Sequence, residues 1–257
     1  MTGMPRWRNQ RLEDRPGRLA GRYVFLSASV PYRDLDVYRK PEWAHLDIEE
    51  AVVSLARAVF AEEGRLVFGG HPSISPLVAS VAADYYPVSL GARMDAEAPV
   101  SVYQSSCYEG YIPDTTRLLR EMGLAEIVWT GAEEGERYDP LIPGRQCVQS
   151  IFHMRDQMLK EKNPVAMVAI GGMDGVEDEA SRFLSRRDIP RPVYVFRSTW
   201  GAAARLAESR QPGLIVAEDR WRKIMPPSVE EGRYRQRAMV PYALIMQQLV
   251  GEIASLI

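Results

Sequence analysis

From residue 23 onward the chain alternates short apolar runs with stretches of helical periodicity, an order that few architectures accommodate. Tyr23-Val24-Phe25-Leu26 is apolar throughout, as a strand buried on both faces must be. Residues 48–63 set Ile48, Val52, Leu55, Ala56, Val59 and Phe60 on one helical face, with Asp47 as the expected N-cap and Gly64 as the stop. The alternation continues with strands at 65–68, 100–103, 127–129, 165–170 and 193–196. Helices are predicted over 76–84, 115–122, 148–161, 176–186, 202–208 and 242–256. Such repetition predicts an α/β fold: a Rossmann-like, mostly parallel sheet with helices on both faces. No repeat, low-complexity segment or linker divides the chain, so 22–257 reads as a single domain. Residues 1–21 read as a flexible, Arg-rich N-terminal tail.

Composition closes off several function classes. A net charge of −2 gives no field that would hold nucleic acid, despite Arg6, Arg8, Arg11, Arg15 and Arg18. No apolar run approaches the roughly 20 residues of a membrane helix. The N-terminus is polar where a signal peptide would be apolar, so a cytoplasmic protein is expected. Two cysteines are too few for a disulfide framework, and with three scattered histidines they suggest no metal site. No cofactor is indicated either. The last helix carries Leu244, Ile245, Leu249, Ile253 and Leu256, which suit core packing or a subunit interface, so a homo-oligomer is left open.

In an open parallel sheet, ligands sit beyond the carboxyl ends of the strands. Four strand ends have suitable chemistry. Ser27 and Ser29 follow the first strand, and Gly69-Gly70-His71-Pro72-Ser73 follows the second. Gly171-Gly172-Met173-Asp174-Gly175 follows the strand at 165–170. Ser198-Thr199-Trp200-Gly201 opens a helix whose N-terminus could receive an anion. Between the strand at 127–129 and the next helix lies a polar loop, 131–144, with Glu133, Glu134, Glu136 and Asp139.

Arg155 is the most informative single residue. On the helix over 148–161, Val148, Ile151, Phe152, Met158 and Leu159 form one face, and Arg155 falls in its middle. A buried arginine needs an anionic partner. Glu177 and Glu179 flank the apolar face of the following helix, whereas Asp178 is expected to turn away. Either glutamate could pair with Arg155 or reach a ligand. Of the two roles for the arginine, contact with a ligand anion is the one we expect.

These residues resemble the Lonely Guy (LOG) proteins and, more broadly, the SLOG superfamily with its DprA-like and TRPM-type domains. The LOG signature runs from an Arg-bearing helix through a strand to Pro-Gly-Gly-x-Gly-Thr-x-x-Glu. Here Met154-Arg155-Asp156-Gln157-Met158 and Gly171-Gly172-Met173-Asp174-Gly175-Val176-Glu177-Asp178-Glu179 look like that pattern. Gly69-Gly70 looks like the family's first phosphate-cradling turn. Ile170 stands in place of the motif proline and Val176 in place of its threonine, and one residue is inserted. The resemblance implies a nucleotide or nucleotide-derived small molecule as the ligand. It also implies hydrolysis of an N-glycosidic bond in a nucleotide or NAD-related substrate, with Arg155 and either Glu179 or Glu177 acting catalytically. Ser27, Ser29, Gly69, Gly70, His71, Ser73, Gly171, Gly172, Met173, Gly175, Ser198 and Thr199 would line the ligand. The departures make a non-catalytic sensor, of the kind tied to nucleotide signalling in bacterial defence, the alternative. A DprA-like nucleic-acid binder is disfavoured by the net charge.

Overall fold

The computed structural model describes residues 16–31, 36–38, 40–86, 98–142, 145–186, 191–225 and 240–257. Its centre is one parallel sheet of seven strands: β1 (Tyr23–Ser29), β2 (Arg65–Gly69), β3 (Val100–Ser105), β4 (Ala125–Thr130), β5 (Ala166–Gly171), β6 (Val193–Phe196) and β7 (Leu214–Val216). They lie in the order β4-β3-β2-β1-β5-β6-β7. The chain therefore builds outward from β1 to β4, then returns to the other side of β1 and builds outward again. Every observed ladder is parallel.

Alternate residues of the strands feed two cores. Val24 and Leu26 of β1 and Val168 and Ile170 of β5 face one side. There they meet α1 (Ala44–Ala61), α2 (Ser75–Tyr85), α3 (Asp114–Glu121) and α8 (Tyr242–Ser255). Phe25, Met167 and Ala169 face the other side. They pack under α4 (Val148–Lys162), α5 (Asp174–Ser185) and α6 (Gly201–Ser209). Apolar burial on both faces is why these strands read as unbroken hydrophobic runs.

Six predicted strands are present, and the expected fold class holds. β7 was not anticipated: its three residues are only partly buried and too short for periodicity to register. Nor was the four-residue helix α7 (Ala217–Arg220) that follows it. Helix α1 starts a turn earlier than the N-cap expectation allowed. Trp43 precedes its first residue, and Asp47 lies within the helix, buried. At its end, Glu63 takes the left-handed conformation, φ 56°, while Gly64 packs closely against Val59 and Leu19. Helix α8 buries Tyr242, Ile245, Met246, Leu249, Val250 and Ile253 in the core, so packing accounts for most of its apolar face. Leu244 and Leu256 are exposed.

Of the Arg-rich N-terminal segment, residues 1–15 lie outside the described residues. Leu19 is fully buried, and Arg18 forms a 2.6 Å ion pair with Glu62 at the end of α1. Among the described residues no helix is long and apolar enough to cross a membrane.

Candidate functional site

Strand order reverses between β1 and β5, and the splayed loops at such a reversal leave a crevice at the carboxyl edge. A cleft of ≈ 590 Å³ opens there. That is within the range of small-molecule sites. Its floor comes from Ala28 and Ser29 at the end of β1 and from Gly69 at the end of β2 with Gly70, His71 and Pro72 beyond it. Arg155 and Met154 of α4 and Met173, Asp174, Gly175, Val176 and Glu179 at the start of α5 form one wall. Tyr108, Tyr111 and Tyr138 form another.

The arginine–carboxylate pair lies within that wall. Arg155 donates from Nε to Glu179 Oε1 at 3.0 Å and from Nη1 to Asp178 Oδ2 at 2.8 Å. Ser27 Oγ donates to the other oxygen of Glu179 at 2.5 Å. Arg155 and Glu179 are each 9% exposed, so this charge pair is largely withdrawn from water. Asp178 does not turn away as expected. Successive residues on a helix are splayed by about 100°, and the planar guanidinium fork is wide enough to span two adjacent carboxylates. Asp178 also receives Arg182 at 2.8 Å. The arginine is therefore held by protein acids, contrary to our expectation that a ligand anion would be its main partner. Its Nη2 makes no hydrogen bond among the described residues and lies against Gly175, where a Cβ would come within 2.8 Å. A Cβ at this position would push the guanidinium tip aside.

The other expected residues divide into two groups. Ser29, Gly69, Gly70, His71, Met173 and Gly175 line the cleft with Arg155 and Glu179. His71 is pushed below its ordinary value by burial, and its Nδ1 accepts from the Ser73 amide at 3.3 Å. The neutral ring therefore keeps its proton on Nε2. Ser73, which also bonds His71 through its hydroxyl at 2.8 Å, supports that ring from outside the lining. Ser27 lies behind Glu179. Gly171 and Gly172 form the backbone of the turn: Gly171 N–H donates to Thr199 Oγ1 at 2.8 Å and Gly172 N–H to the Ser29 carbonyl at 2.7 Å. Thr199 is fully buried and Ser198 bonds Tyr242, so neither lines the cleft. At the helix start after Ser198 one amide is already used, Ala202 N–H donating to the Gly172 carbonyl at 2.9 Å. Glu177 faces elsewhere, accepting from Tyr38 at 3.1 Å and pairing with Arg205 at 2.9 Å. Of the two candidate glutamates, Glu179 is the one on the cleft.

Sequence reasoning missed the aromatic wall. The rings of Tyr108 and Tyr138 lie 4.8 Å apart, and Tyr111 meets Tyr138 edge-on at 5.0 Å. Tyr138 belongs to the loop read only as polar. A tyrosine in that loop and two more just past β3 were the available signal. Arg145 and Asp174 were missed too; they bridge the cleft's two sides at 2.9 Å, both about half exposed. Asp174 Oδ1 also accepts from Gly175 N–H at 3.0 Å, which puts a carboxylate at the N-terminus of α5. The start of α4 is similar: Glu136 accepts from Gln149 N–H at 3.0 Å and from Ser150 N–H at 2.7 Å. The Ser150 hydroxyl, which also donates to Glu136 at 2.5 Å, and then these amides hold the Glu136 carboxyl below its usual range. Among the described residues no group of three or more His, Cys, Asp or Glu side chains could hold a metal ion.

Fold and cleft together define a Rossmann-like protein with a candidate small-molecule site at the switch point of its sheet. A family model narrows that description: the SLOG cluster3 family matches residues 41–220, and the chain belongs to this family. No curated protein shows a significant match to the chain.

Proposed function

We propose that the cleft binds a nucleotide or nucleotide-derived small molecule. One observation carries the reading: at the switch point, a buried Arg155–Glu179 pair faces the same cavity as three clustered tyrosines. Tyrosine faces suit a planar base. On the polar wall, the half-exposed Asp174 suits sugar hydroxyls, and Arg145 beside it is the cation placed to meet a phosphate. Membership in the SLOG cluster3 family supports a nucleotide-related ligand.

Binding without turnover is the form of this proposal we adopt. Both Glu179 oxygens already accept a bond, from Ser27 and from the Arg155 guanidinium, which lowers the carboxylate's basicity toward a water. Val176 replaces the motif's hydroxyl residue, and its side chain is buried beneath Gly172. Hydrolysis of the N-glycosidic bond is the second reading, favoured by the presence of a cleft-facing carboxylate at Glu179. In that reading Glu179 would activate water through a remaining lone pair while Arg155 and Ser27 hold it in place.

A panel of nucleosides, nucleoside phosphates, cyclic nucleotides and NAD-related compounds separates these outcomes. At least one member should raise the melting temperature of the full chain and be recovered unchanged by chromatography. Recovery of free base or nicotinamide would favour hydrolysis, and no stabilisation by any member would reject the proposal. With a stabilising compound in hand, Tyr138→Ala should weaken its binding about tenfold, near the 1–3 kcal/mol measured for one base–aromatic stack. Unchanged affinity in a calorimetric titration would remove the tyrosines from the site.

A further inference from the structure

Charge balance limits what a ligand of the cleft can carry. Among the described residues, Arg145 and Arg155 are the cations that line it, and Asp174 and Glu179 are the carboxylates. The lining is therefore neutral as a whole, and its charges are matched in pairs. Arg155 spends Nε on Glu179 and Nη1 on Asp178. Arg145 is paired as well, with its Nη1 2.9 Å from Asp174 Oδ2.

The two pairs meet a ligand differently. Arg155 is buried in the wall, whereas Arg145 and Asp174 are half exposed and bridge the two sides of the cleft. The Arg145 guanidinium lies over the Phe152 ring at 6.0 Å, and the Gly175 N–H holds Asp174 by Oδ1 at 3.0 Å. The other nitrogens of Arg145 have no partner among the described residues. They are free to meet one phosphate oxygen while Nη1 keeps Asp174. A phosphate docked on Arg145 thus lies beside a carboxylate that its own helix holds in place. A diester brings one negative charge to that position. A terminal phosphate ester brings nearly two at neutral pH, and no further lining cation offsets its repulsion by Asp174.

We propose that Asp174 is a specificity-determining residue of the cleft. It favours a nucleotide whose phosphate is a singly charged diester and selects against terminal phosphate esters and polyphosphates. The identity of the ligand as a nucleotide rests on the reading above. The charge selection needs only Arg145 and Asp174, so it also has a test without a base.

Calorimetric titration of the full chain at neutral pH compares a cyclic nucleoside monophosphate with the open monophosphate of the same nucleoside. The cyclic diester should bind about tenfold tighter, the scale of one extra charge near a half-exposed carboxylate. Asp174→Asn keeps an acceptor for the Gly175 N–H and removes the charge. It should move the affinity ratio about tenfold toward the open monophosphate. Equal affinities in the wild type, or a ratio that Asp174→Asn does not move, would overturn the proposal. The second arm uses inorganic pyrophosphate and reads the melting temperature. Pyrophosphate should stabilise Asp174→Asn and not the wild type, and adding Arg145→Gln should abolish the gain. Stabilisation of both proteins alike, or of neither, also overturns the proposal. If pyrophosphate discriminates as expected while no nucleotide binds either protein, the charge selection stands and the nucleotide reading fails.

Discussion

Replacing Gly201 with alanine should destabilise the protein by about 4 kcal/mol, the largest effect we expect from one methyl group. Gly201 has φ +59°, and the left-handed region costs other residues roughly 1–2 kcal/mol. A Cβ there would also overlap the Gly172 carbonyl oxygen, and it would lie 2.8 Å from Pro31 Cγ and 3.2 Å from Gly171 C. Two of those neighbours are backbone, so no rotamer change relieves the clash; overpacking of this kind costs about 1–3 kcal/mol more. The carbonyl that must move is the one accepting Ala202 N–H, so the turn after β5 and the start of α6 shift together. Chemical denaturation should show a lower midpoint with an unchanged slope, and the melting temperature should fall by about 10 °C. Gly131→Ala is the control, since nothing lies within 4 Å of a Cβ at that position. Equal stabilities for the two variants would mean the turn is not packed as described.

Arg155→Ala should cost about 3 kcal/mol in the ligand-free protein. The substitution leaves Glu179 without its cation in a site where its side chain is only 11% exposed, and removing one member of a buried pair typically costs 3–5 kcal/mol. The lower end applies because Ser27 still serves Glu179 and Arg182 still serves Asp178. Combining Arg155→Ala with Glu179→Gln should recover much of the loss, because the uncompensated charge is then gone as well. A double-mutant cycle on urea melts measures this coupling. Additive losses would show that the pair is not coupled in the folded state. A stability unchanged by Arg155→Ala would restore the arginine to the role of waiting for a ligand anion.

The periodicity of the chain carried the sheet and its main helices, because a strand buried on both faces cannot hide its apolar run. It carried less at the edges. β7 has three partly buried residues, and helix ends such as Trp43 and Glu63 are settled by tertiary packing more than by the residues that usually cap. The Gly-Gly turns and Arg155 were legible because glycine and a cation on an apolar face are local anomalies. The division of labour among them was not. Gly175 makes room for a guanidinium from another helix, while Gly172 lends its carbonyl to α6. Both facts depend on contacts between segments distant in sequence. The choice between Glu177 and Glu179 likewise turned on the Tyr38 and Arg205 contacts that draw Glu177 aside. The tyrosine wall was hidden because its members come from two loops, and loop aromatics carry no period.

The most direct test of the site is amide hydrogen exchange, measured with and without whichever panel nucleotide stabilises the protein most. Protection on binding should concentrate at 69–72, 104–113, 138–142, 145–151 and 172–179, the segments that enclose the cleft. It should be absent from the second cavity, between α1 and α8, which is lined by Arg57, Tyr85, Trp221 and Gln247. Protection confined to that second cavity, or spread evenly over the sheet with none at 172–179, would contradict a nucleotide site at the switch point.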